Sequence, residues 1–280
     1  KYTQHQFVAL LILFAKSGKS LRDFVQSLYE SKWPEWLNLR EIPSKSSIHN
    51  HFQRIGLKII RALNLIIVKT KESIHYAIDS TGIDSYHASK HYEKRIGRSC
   101  QPYIKLSIIG QTREPFLVED FNITDKHCND AKHCKSLIKR FRFKDKIIFA
   151  DKAYDAENLH KLANSKNNML YAPIRNFKVK KPKGFFRRKM NEFFDEEIYH
   201  ERNKIETIMF LIKHKGVVIR SKKRINKIKE LAWKILSYNI ERLAKSLQRL
   251  WETIISLDNA KKSKHLYMSI HKCILRYHNY

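Results

Sequence analysis

The sequence predicts an α/β protein: a mixed sheet flanked by helices, preceded by an all-helical region. Three observations carry that expectation. Up to about residue 72 apolar residues recur at helical spacing, between Ile74 and Pro173 short β-like runs alternate with helical stretches, and beyond Glu196 long helical patterns return. Only 7 Gly and 6 Pro punctuate the 280 residues, so few breakers interrupt the helices.

Residues 5–16 and 20–30 read as amphipathic helices, the second opened by Ser20 with Asp23 three positions on, a capping-box arrangement. Trp33, Pro34 and Trp36 interrupt the pattern. Pro43, Ser44 and Ser46 mark a new start, after which Ile48, Phe52, Ile55 and Ile59 predict one long helix ending near Thr70. The texture then turns to strands at Ile74–Ile78, Tyr103–Ile109 and Pro115–Phe121, the last two joined as a hairpin across Gly110-Gln111-Thr112-Arg113. A helix at 129–140, a strand at Lys146–Ala150, a helix near 156–164 and a strand at Met169–Pro173 complete an order that gives a mixed sheet. One helix from about Glu196 to Lys215, stopped by Gly216, and another from about Ile225 to Ile255 finish the chain. The expected divisions are a helical region over 1–72, the α/β core over 73–258 and a basic tail over 259–280.

Lys and Arg number 56 against 27 Asp and Glu, a net charge of +29. So large an excess repels itself in a folded protein and suits a polyanion as partner, nucleic acid first and an anionic membrane surface second. With 42% hydrophobic and 30% charged residues the chain reads as soluble and globular. The longest apolar run, Phe7–Ala15, falls well short of the roughly 20 residues of a membrane span, and it lacks the cleavage site of a signal peptide. Four cysteines (Cys100, Cys128, Cys134, Cys273) make no disulfide scaffold and fit a reducing, intracellular compartment. The first residue is Lys rather than Met, which leaves the native start open.

In so basic a chain, carboxylates at strand ends are the informative minority. Asp79 follows the first strand (YAIDSTG) and Asp151 the fourth (IIFADKAYD), where open α/β sheets carry reactive groups. Each also fits a helix cap or turn. Further on, Tyr199, Arg202, Glu206 and Lys213 fall within roughly 60° of one another on a helix, while Ile205, Ile208, Met209 and Ile212 take the neighbouring face. A solvated polar stripe with an ordinary Glu–Arg pair has the same spacing.

Asp79 in IDSTG, Asp151 in ADKAYD and the Y-x2-R-x3-E-x6-K run of Tyr199, Arg202, Glu206 and Lys213 together resemble the DDE transposases of bacterial and archaeal insertion sequences, over about residues 74–215. The resemblance implies a ribonuclease H-like catalytic core in which Asp79, Asp151 and Glu206 hold two divalent ions, Mg²⁺ or Mn²⁺. Hard carboxylate oxygens suit such ions, and a pair of them can activate an attacking oxygen and stabilise a leaving one. It further implies a transposase that binds the ends of its element, cleaves phosphodiester bonds and joins the freed 3′-hydroxyl to target DNA, with Tyr199, Arg202 and Lys213 touching the end DNA or orienting the site. Double-stranded DNA is then the partner, for a homodimer assembled on it in the cytoplasm at the nucleoid. A related nuclease that cuts without joining, or an inactive descendant that only binds DNA, would share these residues. Ala153 stands where family members often carry Gly. Glu201 points about 140° from Glu206 on the helix and is set aside as a ligand. Only 55 positions separate Asp151 from Glu206, too few for a large β insertion domain there.

Two segments are candidates for DNA contact. Ser44–Arg54 reads as the recognition helix of a helix-turn-helix, with His49, Asn50 and Gln53 at base edges and Lys45 and Arg54 on phosphates; a helical bundle that packs on the core is the plainer reading. Lys178–Lys189 reads as a phosphate-tracking loop in which Lys180, Lys181, Lys183, Arg187 and Arg188 surround Phe185 and Phe186. Lys213–Lys229 forms a second basic cluster. His127, Cys128, His133 and Cys134 invite a zinc reading, but their spacing differs from that of structural zinc sites and favours ordinary residues of a short connection. His87 and His91 follow the first strand and are within chain reach of a substrate there.

Overall fold

The computed structural model describes residues 2–83, 95, 104–124, 129–175, 182–214 and 219–277. His87, His91, His127, Cys128, Lys180 and Lys181 lie outside them. Contacts divide the chain into two units, Lys1–Ile240 and Glu241–Tyr280. The second is helical throughout its described part, and Lys245 Nζ lies 3.0 Å from Glu241 Oε1 within it.

Five helices precede the sheet: α1 (Gln4–Ser17), α2 (Leu21–Tyr29), the single turn α3 (Trp33–Trp36), α4 (Lys45–Arg54) and α5 (Leu57–Val68). Hydroxyl caps start three of them, since Thr3, Ser20 and Ser44 accept the N–H of Gln6, Asp23 and Ser47. The single long helix expected from Pro43 is divided. Ile55 takes an extended conformation and Gly56 caps α5, so the buried face changes phase. Ile59, expected in line with Ile48, Phe52 and Ile55, is 51% exposed, whereas Ile60 is fully buried.

Five strands follow: β1 (His75–Ile83), β2 (Ile104–Gln111), β3 (Val118–Thr124), β4 (Lys146–Ala150) and β5 (Asn168–Tyr171). Their order is β3-β2-β1-β4-β5, antiparallel on the β2 side of β1 and parallel on the β4 side, which is the mixed sheet expected. The hairpin differs in detail. Gly110 and Gln111 belong to β2 rather than to the turn. A Cβ at Gly110 would stand 2.9 Å from Ile208 Cδ1 and 3.2 Å from Ile205 Cδ1, so glycine lets a helix lie close on the strand.

Helices cover both faces. Between the strands run α6 (Asp130–Arg140) and α7 (Glu157–Asn164), which pack with Tyr76, Ile78, Ile109, Ile148 and Ala150 on one face. On the other, Ala77, Ile108 and Phe149 join one core with α1, α2, α4 and α5 and with two later helices, α10 (Asn203–His214) and α11 (Arg224–Tyr277). The helical region before residue 72 therefore shares its core with the sheet. Period-two alternation along each strand assigns the residues to faces.

The remaining elements among the described residues are a 3-10 turn at Lys152–Tyr154, α8 (Phe185–Phe193), α9 (Glu196–Tyr199) and a 3-10 turn at His200–Arg202 that leads into α10. One continuous helix was expected over 196–215. The tighter 3-10 turn interrupts it after Tyr199. The edge of the sheet is closed by polar side chains: Asn239 Oδ1 accepts the N–H of Val118 and its Nδ2 donates to Val118 O and Asn64 Oδ1, while Asn64 Nδ2 donates to Val118 O and Glu119 O. These bonds occupy backbone groups that an edge strand otherwise leaves open.

Two predictions follow from burial. Ile60→Ala should cost about 2–5 kcal/mol in urea unfolding and Ile59→Ala no more than about 0.5 kcal/mol; a larger loss at Ile59 would mean α4 and α5 are one helix. Glu119 is the second case. Its side chain is 3% exposed, its nearest cation is Arg142 at 3.9 Å, and burial, with help from Asp120 and Glu72, pushes its carboxyl up to about 7. A raised carboxyl keeps its proton in the fold after the unfolded chain has lost it, so stability is full below about 4.5 and falls as pH rises toward 7. Glu119→Gln should remove a loss on the order of 3 kcal/mol across that window, read from urea midpoints at a series of pH values.

Candidate active site

The parallel ladder between β1 and β4 ends with Ile78 opposite Ala150. The next residue on each strand is an aspartate. Asp79 and Asp151 are thus neighbours across the end of this ladder, and alternation puts both on the face of Ala77 and Phe149, the face that α10 covers. Asp79 does not end its strand as expected, because β1 continues to Ile83 against β2. Each aspartate takes up the amide that follows it, the Ser80 N–H donating to Asp79 Oδ1 at 2.8 Å and the Lys152 N–H to Asp151 Oδ1.

Buried Ile205, Ile208, Met209 and Ile212 hold α10 on the sheet, as their spacing predicted. That seating fixes Arg202 and Glu206. Arg202 Nη2 lies 3.7 Å from Asp79 Oδ2, and its Nη1 donates to Glu206 Oε1 at 2.8 Å. Burial pushes the Asp79 carboxyl up, the Ser80 amide and Arg202 work against this, and the charges of Asp151 and Glu206 add to it. Burial alone would lower Arg202, but Tyr199, Asp79, Glu206 and Asp151 outweigh it and leave the guanidinium more firmly charged. The Tyr199 hydroxyl donates to Ala150 O at 3.3 Å and is pushed up to about 12, chiefly by burial, so it is a neutral phenol beside the two aspartates.

The structure thus gathers Asp79, Asp151, Tyr199, Arg202 and Glu206 into one electrostatic cluster. It does not form a closed coordination shell: Glu206 is 59% exposed, and among the described residues no group of three or more His, Cys, Asp or Glu is placed to hold one metal ion. Arg202 provides the positive charge between Asp79 and Glu206. Lys213 is exposed two turns further along α10. The charge of Glu201 acts on His75, at the start of β1.

With this geometry in place, the chain can be set against known proteins. The model of the family described as "Transposase DDE domain" matches residues 70–240. The chain belongs to that family. No curated protein and no solved structure matches it. DDE transposases are transposase-type nucleases of DNA transposition and recombination that generally use divalent metal ions, and DNA is the partner the family implies. Among the described residues no helix is long and apolar enough to cross a membrane.

This DDE domain also holds a second polar network that the sequence reading missed. Ser80 Oγ lies 2.6 Å from Ser107 Oγ and 3.0 Å from Tyr154 Oη, and Ser107 Oγ lies 2.7 Å from His133 Nδ1. His133, one of the residues of the zinc reading, is committed here, and Cys134 beside it is buried with its thiol pushed up to about 12 by desolvation. Register was the available signal: Ser80 pairs with Ser107, on the face where α6 brings His133. Asp155, the second acid of ADKAYD, was also overlooked. Its side chain is fully buried, Arg187 grips it from Nε at 2.8 Å and Nη2 at 2.6 Å, and the Arg175 N–H donates to it at 3.0 Å. Burial would raise this carboxyl, but His160, Arg187 and the Arg175 amide together hold it well below the usual range.

Asp155 corrects the reading of the basic segment. Arg187 was expected on a phosphate path and instead belongs to this buried pair. The segment is also partly helical, since α8 starts at Phe185. Glu157 accepts the N–H of Phe186 and Arg187, and Gly184 stands at φ 107, where an added Cβ would collide with Glu157. Lys183 and Arg188 remain exposed. In the N-terminal region, α4 turns Ile48 and Phe52 inward and Lys45, His49, Asn50 and Arg54 outward, with Gln53 half-buried. Residues 30–44, including α3, separate α2 from α4, in place of the three- or four-residue turn of a helix-turn-helix.

Asp155→Asn should destabilise the fold by roughly 3–5 kcal/mol, because it leaves Arg187 without its buried counter-charge. The carboxyl is depressed in the fold, so its contribution is full above the ordinary carboxylate range and is lost as pH falls below it. Denaturant unfolding at neutral pH and in strong acid tests both, and a variant as stable as the parent at neutral pH would contradict the assignment.

Proposed function

We propose that the chain is a DNA transposase that binds the ends of its insertion sequence, cleaves phosphodiester bonds there and joins the freed 3′-hydroxyl to target DNA. The observation that supports it is the register of Ile78 with Ala150, which sets Asp79 beside Asp151 where Arg202 links Asp79 to Glu206. In this reading the sheet is a ribonuclease H-like core, and Asp79, Asp151 and Glu206 hold two ions, Mg²⁺ or Mn²⁺. The donor set fits: carboxylate oxygens are the hard ligands such ions take, and anions crowded around a half-buried Asp79 are relieved by a cation. When bound, the ions activate the attacking oxygen and stabilise the leaving one.

The side chains supply binding and orientation. Arg202 is a fixed cation for a phosphate at the carboxylates, neutral Tyr199 braces the end of β4, and Lys213 extends the basic track along the end DNA. On α4, His49, Asn50 and Gln53 read base edges while Lys45 and Arg54 hold phosphates, and Lys180, Lys181, Lys183 and Arg188 grip backbone. The active form is a homodimer assembled on DNA at the nucleoid.

Asp79→Asn, Asp151→Asn and Glu206→Gln should each reduce Mg²⁺-dependent end cleavage below about a thousandth of the parent rate while leaving DNA affinity nearly unchanged. Supercoiled donor plasmid carrying the cognate ends supplies the assay. Near-parental cleavage by any of the three would remove that residue from the site. Cut ends that never join target would make the enzyme a nuclease.

A further inference from the structure

Residues far apart in sequence form a basic cleft away from the carboxylates. An open cleft of about 450 Å³ lies between His49, Phe52 and Gln53 of α4, Phe14, Ser20 and Leu21, and the segment Arg220–Lys223 with Asn226 and Glu230. Three contacts build its walls. Lys229 Nζ donates to Gln53 O at 2.7 Å, Arg220 Nε to Gly18 O at 3.1 Å, and Glu230 accepts the backbone N–H of Arg220 and Ser221 at 3.0 and 2.9 Å. Lys234 lies 3.6 Å from Glu230 and offsets its charge.

The cleft opens at the start of α11, whose first turn contains no acidic residue. The first amides of a helix lack intrahelical acceptors and carry the positive end of its dipole. Lys222 and Lys223 are exposed at the rim. An independent sign of a ligand lies on the lining: Asn226 is 7% exposed, and its buried Oδ1 has no hydrogen-bond partner. The same amide carries two N–H donors on Nδ2, which an anion in the cleft can accept. Anions are held in this way at helix starts.

We propose that this cleft binds a phosphate of the DNA backbone, so that a duplex lying along α4 is clamped at the start of α11 by Lys222, Lys223 and Asn226. The inference rests on the DNA-transposase reading and adds a phosphate site apart from the carboxylates. Phosphate contacts of this kind fix register while base edges are read by α4.

The test is anisotropy of a labelled mixed-sequence duplex with the full chain at several KCl concentrations. Lys222→Ala with Lys223→Ala should flatten the slope of log K against log[salt] by about 1.8, from about 0.9 per lost contact. The same charge change at exposed Lys135 and Lys139 on α6 should leave the slope unaltered. Asn226→Asp, near-isosteric and anionic, should weaken binding on the order of tenfold, about 1.4 kcal/mol; if it fails to fold, the exposed lysine pair still decides. An unchanged slope for that pair, or an equal change in the control, overturns the proposal while the parent still binds. A parent that binds no duplex overturns the DNA reading as well. Inorganic phosphate at matched ionic strength separates the sources: phosphate binding lost in the variant with duplex affinity unchanged would make this a small-anion site and refute the DNA assignment.

Discussion

One register governs the candidate site: the parallel pairing that stops with Ile78 opposite Ala150. A one-residue slip would turn one of the following aspartates to the opposite face of the sheet, toward α6 and away from Glu206. The register is in turn held by side chains buried on both faces, Tyr76, Ile78 and Ile148 against α6 and α7 and Ala77 and Phe149 against the other helices. Slippage would expose apolar groups on both layers at once. The positions of the carboxylates are therefore a by-product of core packing.

Charge management follows the same economy. In a chain of +29, Asp155 holds structure while Asp79, Asp151 and Glu206 gather at the site. Asp155 and Glu119 are both buried carboxylates with opposite outcomes. Asp155 meets a bidentate guanidinium and a backbone amide and stays ionised, whereas Glu119 has Arg142 only at 3.9 Å and is pushed up to about 7. Burial is common to both. Partner geometry decides between them.

Much of this was legible in the sequence. Strand positions, the mixed order and the apolar face of α10 follow from period-two and helical spacing; Asp79 and Asp151 stand out because each follows an apolar run, Glu206 because it shares a helix stripe with Tyr199, Arg202 and Lys213, and the resemblance joins the three. Three features lay beyond such reading. The division at Gly56 depends on tertiary packing that rewards Ile60 over Ile59. The 3-10 turn at His200–Arg202 has no compositional mark. Arg187 looked like one more solvated cation in a basic run, and only the fold brings a fully buried Asp155 to it from 32 positions away. Pairings across such distances leave no periodicity for a local pattern to register.

The uneven support of β1 has a dynamic consequence. From His75 to Ile78 the strand is flanked on both sides, and from Asp79 to Ile83 β2 is its one partner strand among the described residues. Alternate amides along that second half face the flank β4 has vacated, and the Ser80 amide has turned to the Asp79 carboxylate instead. A single strand thus contains two populations of backbone protons, those within a double ladder and those that, like the Ser80 amide, face away from β2 beyond it. In hydrogen exchange the two halves of this strand fall on different clocks, and the boundary between slow and fast lies at the first aspartate.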